Sequence, residues 1–243
     1  MKIYIDSAVI AEIMKYMSWG ICDGVTTNPT IMHNCGVTNQ ELMTIRQKEI
    51  AELIAPLPLS LEVTTDDMEQ ALIQGRELAG IAPNIMVKVT VTDRNGNPML
   101  PVIHQLASEG VALNITAMTT QNQAILTAIA LENGKKAGLK AGKNAPFNHV
   151  VSIFGGRISE EHGVRVATEI IRNVRDWLDL HGNSTEIIVG SVRSPENVTE
   201  WSMSGAHILT IPPDTLAKSM RSGRTCETVT QFLADAQKSL NEM

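Results

Sequence analysis

The chain has 243 residues, 43% of them hydrophobic and only 3% aromatic, with a formal net charge of −6. That length suits one α/β barrel, typically about 250 residues, or two small domains, and it allows a sizeable buried core. The acidic balance lacks the basic stripe of a nucleic-acid binder, and no apolar run reaches the ~18 residues of a membrane span. Cys22, Cys35 and Cys226 have neither the number nor the spacing of a disulfide framework or a zinc site. With an N-terminus free of a signal-type apolar core, the expectation is a reduced, cytoplasmic protein that engages neither nucleic acid nor membrane.

In chain order, short apolar runs alternate with amphipathic stretches of helix length. The first four runs are Lys2–Ser7, Gly24–Asn28, Leu59–Val63 and Ile85–Val89. The next four are Ala112–Ala117, His149–Phe154, Glu186–Val192 and His207–Ile211. Between them, Asp67–Ala79 and Gly163–Leu178 carry apolar residues at helical spacing. Repeated strand-then-helix units imply a parallel sheet with right-handed crossovers. Eight such units predict one (β/α)₈ barrel domain over residues 1–243. Glu132–Asn148 holds Lys135, Lys136, Lys140 and Lys143 among glycines. It reads as a solvated, flexible loop, or as a loop that reaches toward an anionic substrate. Beyond Thr215, Cys226–Lys238 is expected to form an additional helix, packed on the barrel or on a neighbouring subunit.

Catalytic groups of such barrels collect at the C-terminal ends of the strands. Seven of the eight runs turn polar near that end, at Asp6, Thr27 and Asn28, Glu62, Lys88, Asn114 and Thr116, Ser152, then Ser191 and Arg193. Lysine is nearly absent from buried positions unless paired. Lys88, inside an apolar strand, therefore reads either as one half of an ion pair with Glu62 or Asp6, or as a nucleophile. Desolvation favours the neutral amine that attacks a carbonyl, a task arginine cannot perform. Two acids on separate strands suit aldol chemistry, one taking a hydroxyl proton and the other managing carbinolamine dehydration. The alternative for Asp6 is a cap on a helix starting near Val9. No His/Asp ligand cluster and no G-x-x-x-x-G-K-[ST] loop is present, so neither metal nor cofactor is expected.

The run Gly24–Thr30 (GVTTNPT) resembles a signature of the transaldolases. Asn84–Val89 (NIMVKV), Leu113–Leu126, Ser152–Ile158 (SIFGGRI) and Gly190–Pro195 (GSVRSP) are similar to later motifs of that family, in order along essentially the whole chain. The likeness is greatest to the short transaldolase and fructose-6-phosphate aldolase branch. It implies a Schiff base on Lys88, Asp6 as the base that triggers C3–C4 cleavage, and a water held by Glu62 and Thr116. It also implies that Asn28, Asn114 and Ser152 hydrogen-bond the dihydroxyacetone unit, that Thr27 and Phe154 belong to the substrate site, and that Arg157, Ser191 and Arg193 grip a terminal phosphate. Absent the family, each arginine reads as a surface ion pair.

Aldolases of the branch tend to carry Gln at the Glu62 position and Tyr at the Phe154 position, so the resemblance implies transfer to an acceptor such as glyceraldehyde 3-phosphate. A lyase releasing free dihydroxyacetone and a non-catalytic sugar-phosphate binder are the alternatives. Ile153, Gly155, Met118–Thr119 and the lysine-rich segment depart from the family pattern and are expected near the pocket, which admits a sulfosugar such as sulfofructose as donor. The family also implies a homo-oligomer joined through the C-terminal helix.

Overall fold

The structure is a computed structural model and describes residues 1–241. Eight parallel strands close into a barrel in sequence order, with β1 pairing β8. They are β1 (Lys2–Asp6), β2 (Gly24–Thr26), β3 (Leu59–Glu62), β4 (Ile85–Thr90), β5 (Leu113–Met118), β6 (Val150–Phe154), β7 (Glu186–Gly190) and β8 (Ile208–Ile211). Every expected run meets its strand to within two residues at either end. Outside the barrel lie α1 (Ile10–Ser18), α2 (Pro29–Asn34), α3 (Gln40–Ile54), α4 (Met68–Ala79), α5 (Leu100–Ser108) and α6 (Gln121–Lys140). They are followed by α7 (Gly155–His162), α8 (Val164–Leu180), α9 (Pro195–Ser202), α10 (Pro213–Ser219) and α11 (Gly223–Asn241).

The alternation of side chains along each strand sorts residues into two sets. Ile5, Leu61, Val87, Ile115, Val151, Val189 and Leu209 face outward into a continuous apolar layer beneath the helices. The helices answer with their own apolar stripes. In α8, Ala167, Ile171, Val174 and Leu178 recur at helical spacing and are buried, while Arg165, Arg172 and Asp179 face water. The inward set divides by height. Tyr4, Met86, Ala112, Val150, Ile188 and Ile208 form a separate apolar cluster that fills the barrel's lower half. Above that floor the inward residues become polar, which positions the site.

Glu132–Asn148 departs from the loop reading. Its first nine residues are the second half of α6, and the lysine-bearing stretch lies at the floor end of the barrel, beside residues just ahead of β5 and β7. Lys135 donates to Ser184 at 2.8 Å and Lys136 pairs with Glu132 at 3.4 Å, so neither reaches the strands' C-terminal ends. The glycines are packing residues. A Cβ at Gly134 would lie 2.6 Å from the His104 carbonyl oxygen and 2.7 Å from Ala107 Cβ, and one at Gly138 would lie 2.8 Å from the Ser108 oxygen. Four residues apart, the two occupy one face of α6 and let α5 approach closely. A capping box of Thr120 and Gln123 starts the helix.

Gly134→Ala gains up to ~1 kcal/mol of helix propensity but forces the two backbones apart. The net expectation is destabilisation of about 1–3 kcal/mol, read as a lower urea midpoint. A raised midpoint would show that α5 and α6 separate without loss.

His149 and His207 perform one structural task twice. Each stands just ahead of its strand and accepts, through Nδ1, the amide of a neighbouring strand's residue, Leu113 at 3.3 Å and Ile187 at 2.9 Å. Both imidazoles must therefore be neutral. His149 is 3% exposed, and burial, helped by the nearby Lys135, pushes its pKa down to about 4. Desolvation lowers His207 as well.

The unfolded chain binds this proton from about pH 6.5 downward, whereas the folded one resists until about pH 4. Stability is thus fully present above the unfolded value and is lost as pH falls through that window. His149 alone accounts for about 3 kcal/mol of the loss. His149→Asn, which keeps an acceptor that does not titrate, will flatten the urea midpoint between pH 7 and 4.5 relative to the parent. Parallel curves for the two proteins would refute this.

The C-terminal helix begins at Gly223, three residues earlier than expected, and continues to the last described residue. It does not pack on its own barrel. From Arg221 to Leu240 every residue but Thr228 is exposed, and Phe232, Leu233 and Leu240 are about two-thirds accessible. None of the described helices is long and apolar enough to cross a membrane.

Candidate active site

Strand register assembles the polar layer. In the parallel ladder Glu62 lies beside Lys88 and Lys88 beside Asn114, while Asp6 lies beside Thr26 and Thr26 beside Ser60. These residues open onto a pocket of about 180 Å³ at the C-terminal mouth. Asp6, Asn28, Lys88, Asn114, Ser152, Phe154, Arg157 and Ser191 all line it, eight of the twelve positions expected from sequence.

Lys88 is 6% exposed. Its Nζ lies 2.9 Å from Glu62 Oε2 and donates at 2.9 Å to the Thr27 carbonyl. The ion pair expected from sequence is present, and the amine also borders the pocket. Glu62 holds the amine at the pocket wall and is placed to take a proton from it. Asp6 is no helix cap: α1 starts after Val9, whose amide is taken by Ser7 Oγ at 3.0 Å. Instead Asp6 Oδ1 accepts from Thr26 Oγ1 at 2.7 Å. Burial raises its pKa, opposed by the charge of Lys88 and the Thr26 hydrogen bond, with Glu62 adding to the rise. A raised carboxylate is a stronger base than one in water.

The other four positions enter differently. Thr27 contributes its backbone, because its hydroxyl is engaged by the Ser60 carbonyl at 3.1 Å. Glu62 reaches Lys88 from the side of a larger cavity of about 500 Å³, walled by α3 and α4. Among the described residues that cavity is lined by no lysine or arginine, whereas the smaller pocket holds the Lys88 amine. Thr116 is buried above Asn114 on β5, and its hydroxyl and Asn114 Oδ1 have no partner among the described residues. Arg193 sits on the rim, pairing with Glu160 and reaching Ser191 Oγ at 3.4 Å. The surface-pair reading therefore fits Arg193, whereas Arg157 makes no ion pair among the described residues.

At the pocket's far end β6 runs straight into α7. Phe154 is the N-cap and supplies no side-chain acceptor, so the first-turn amides of α7 have no capping side chain. Gly156 is pressed against Ser191, a non-glycine residue held at φ 61°.

A second strained position, Ala117 at φ 66°, breaks the β5–β6 register between Ile115 and Met118. This bulge reverses the side-chain alternation and turns Met118 outward into the core beneath the helices. Ile153 faces the same layer, and a Cβ at Gly155 would meet the Trp201 ring at 2.8 Å. Ile153, Gly155 and Met118 therefore point away from the pocket, contrary to expectation, and the lysine-rich segment is at the other end of the barrel.

Thr26 and Thr210 line the pocket but were not singled out from sequence. A threonine between Leu209 and Ile211 looks like an ordinary strand residue. The available signal was its height, two residues beyond the inward Ile208 and level with the polar layer.

These features define a closed (β/α)₈ barrel with a lysine–carboxylate pocket at its C-terminal mouth. Residues 3–243 match the family described as Transaldolase/Fructose-6-phosphate aldolase, and the chain belongs to that family. A protein of Rhodospirillum centenum named "Probable transaldolase" is 36% identical over 241 residues, 98% of this chain and 92% of its own. One of Geobacillus sp. with the same name is 35% identical over 237 residues, 97% of this chain and 98% of its own. A solved structure from Coccidioides immitis, named as a "putative fructose-1,6-biphosphate aldolase", superposes with a TM-score of 0.53 at 10% identity. It covers 87% of this chain and 73% of its own, a likeness of barrel fold alone.

Proposed function

We propose that this protein is a transaldolase that moves a dihydroxyacetone unit from a ketose with a terminal phosphate to an aldose phosphate such as glyceraldehyde 3-phosphate. The observation that carries the reading is the buried Lys88 amine between Glu62 and the pocket that also holds Asp6. Lys88, after passing a proton to Glu62, adds to C2 of the ketose, and loss of water gives the imine. Asp6 takes the C4 hydroxyl proton, the C3–C4 bond breaks, and the electron pair passes into the imine as an enamine. The departing aldose leaves, and the enamine adds to the carbonyl carbon of an acceptor aldehyde. Hydrolysis of the new imine frees Lys88, with Glu62 and Thr116 holding the water. Asn28, Asn114 and Ser152 are placed to hydrogen-bond the hydroxyls of the three-carbon unit.

The terminal anion is met by Arg157, Ser191 and the uncapped first turn of α7, a combination suited to a tetrahedral oxyanion. Arg193 joins by leaving Glu160, an exposed pair worth ~0–1 kcal/mol. A sulfonate has the same shape and remains a donor to test. Phe154 brings no hydroxyl to the enamine, which favours transfer over release of free dihydroxyacetone. Three unpaired cysteines suit a cytoplasmic setting. The exposed apolar residues of α11 support a homo-oligomer in which that helix docks on a neighbouring copy.

Borohydride trapping tests the reading, with fructose 6-phosphate and 6-sulfofructose as parallel donors. The expected product is a reduced dihydroxyacetone adduct on the peptide containing Lys88. No adduct with either donor, from folded protein, overturns it. Free dihydroxyacetone accumulating without acceptor would identify a lyase instead.

A further inference from the structure

We propose that Thr210, on the last strand, is a positioning residue that fixes Asp6 as a proton acceptor through a two-hydroxyl chain. Thr26 Oγ1 lies 2.7 Å from Asp6 Oδ1 and also contacts Thr210 Oγ1. A hydroxyl has one proton to give. Thr26 gives its proton to the carboxylate, so the bond between the two threonines must be donated by Thr210. The direction is set from β8 through β2 to β1, and each bond polarises the next toward the negative oxygen. Both residues are buried, Thr26 at 2% and Thr210 at 6% exposure, at the wall of the pocket.

The chain offsets the main force on Asp6. Burial raises this carboxyl, and a carboxylate protonated at working pH cannot take the C4 hydroxyl proton. The charged groups facing it are Lys88 from β4 and Glu62 from β3, with Arg157 from α7 on the same pocket. Its two sheet neighbours, β2 and β8, present only the threonine hydroxyls at this height. Charge-assisted bonds are the stronger kind. Removing the terminal donor therefore costs the ionised form of Asp6 more than the neutral one.

The role of Asp6 as base rests on the transaldolase reading, and the test separates the two. Protein labelled with ¹³C at the aspartate carboxyls is titrated by NMR, with Asp6→Asn assigning the signal. Thr210→Val will raise the Asp6 midpoint by about one pH unit, and Thr210→Ser will restore it. The acid limb of kcat for fructose 6-phosphate with glyceraldehyde 3-phosphate will move up by the same amount in the valine variant. Lys88 will still be trapped by borohydride. Superimposable titrations of parent and Thr210→Val overturn the proposal, as does a serine variant that shifts as far as the valine one. Should the valine variant not fold, Thr210→Ala gives the same comparison. Absence of any adduct in the parent would sink the transaldolase reading while leaving the titration to decide the hydroxyl chain.

Discussion

Lys88→Met will lower kcat/KM by at least about 10³-fold and abolish the borohydride adduct. Among the described residues no other amine lines the pocket, and a nucleophile acting as one unit with its base leaves little residual catalysis when removed. The substitution has a second, separable effect. Methionine fills the volume, but Glu62 loses the cation at 2.9 Å and is left partly buried without a partner, which costs ~1–3 kcal/mol. Lys88→Met combined with Glu62→Gln will regain much of that stability and none of the activity. If the single variant keeps activity within tenfold of the parent, the imine mechanism is wrong. If the double variant is less stable than the single, the ion pair is not what holds Glu62.

Gly156→Ala is the second large effect, and it acts at the other end of the substrate. A methyl there collides with the Ser191 carbonyl oxygen, backbone that cannot swing aside as a side chain would. The start of α7 must move off the β7–α9 connection, parting Arg157 and the α7 amides from Ser191. The expected cost is about 1–3 kcal/mol of stability and a KM for fructose 6-phosphate raised roughly 10- to 100-fold, the loss of one or two charge-assisted bonds. Fructose used as an unphosphorylated donor will be affected far less. Equal losses with both donors would place the defect in the chemistry rather than in anion binding.

Most of the barrel was legible because its signals are local. Short apolar runs such as Ile85–Val89 and amphipathic stretches such as Asp67–Ala79 fall at the periods their elements require, and the polar intrusions Asp6, Glu62 and Lys88 stand out against that pattern. What escaped depends on long-range packing. Gly134 and Gly138 look like breakers until α5 is placed against them, and only then does Glu132–Lys140 become helix. Met118 and Ile153 seemed to border the pocket because the bulge at Ala117, where alternation reverses, leaves no mark in an alanine. Thr27 was read through its side chain although its carbonyl makes the contact. Thr210 was passed over because a strand-favouring threonine attracts no notice until its register with β1 is known.

The floor of the barrel has a kinetic consequence. Tyr4, Met86, Val150, Ile188 and Ile208 pack as a buried apolar layer below the polar residues, and under the proposed reaction sugars enter and depart by the mouth. Under the proposed reaction the first aldose has to clear the Arg157 end before the second can occupy it, because one anion site serves both. Initial-rate plots at several fixed acceptor concentrations will then give parallel lines, the signature of double displacement. Excess acceptor will inhibit by competing with donor for the free enzyme.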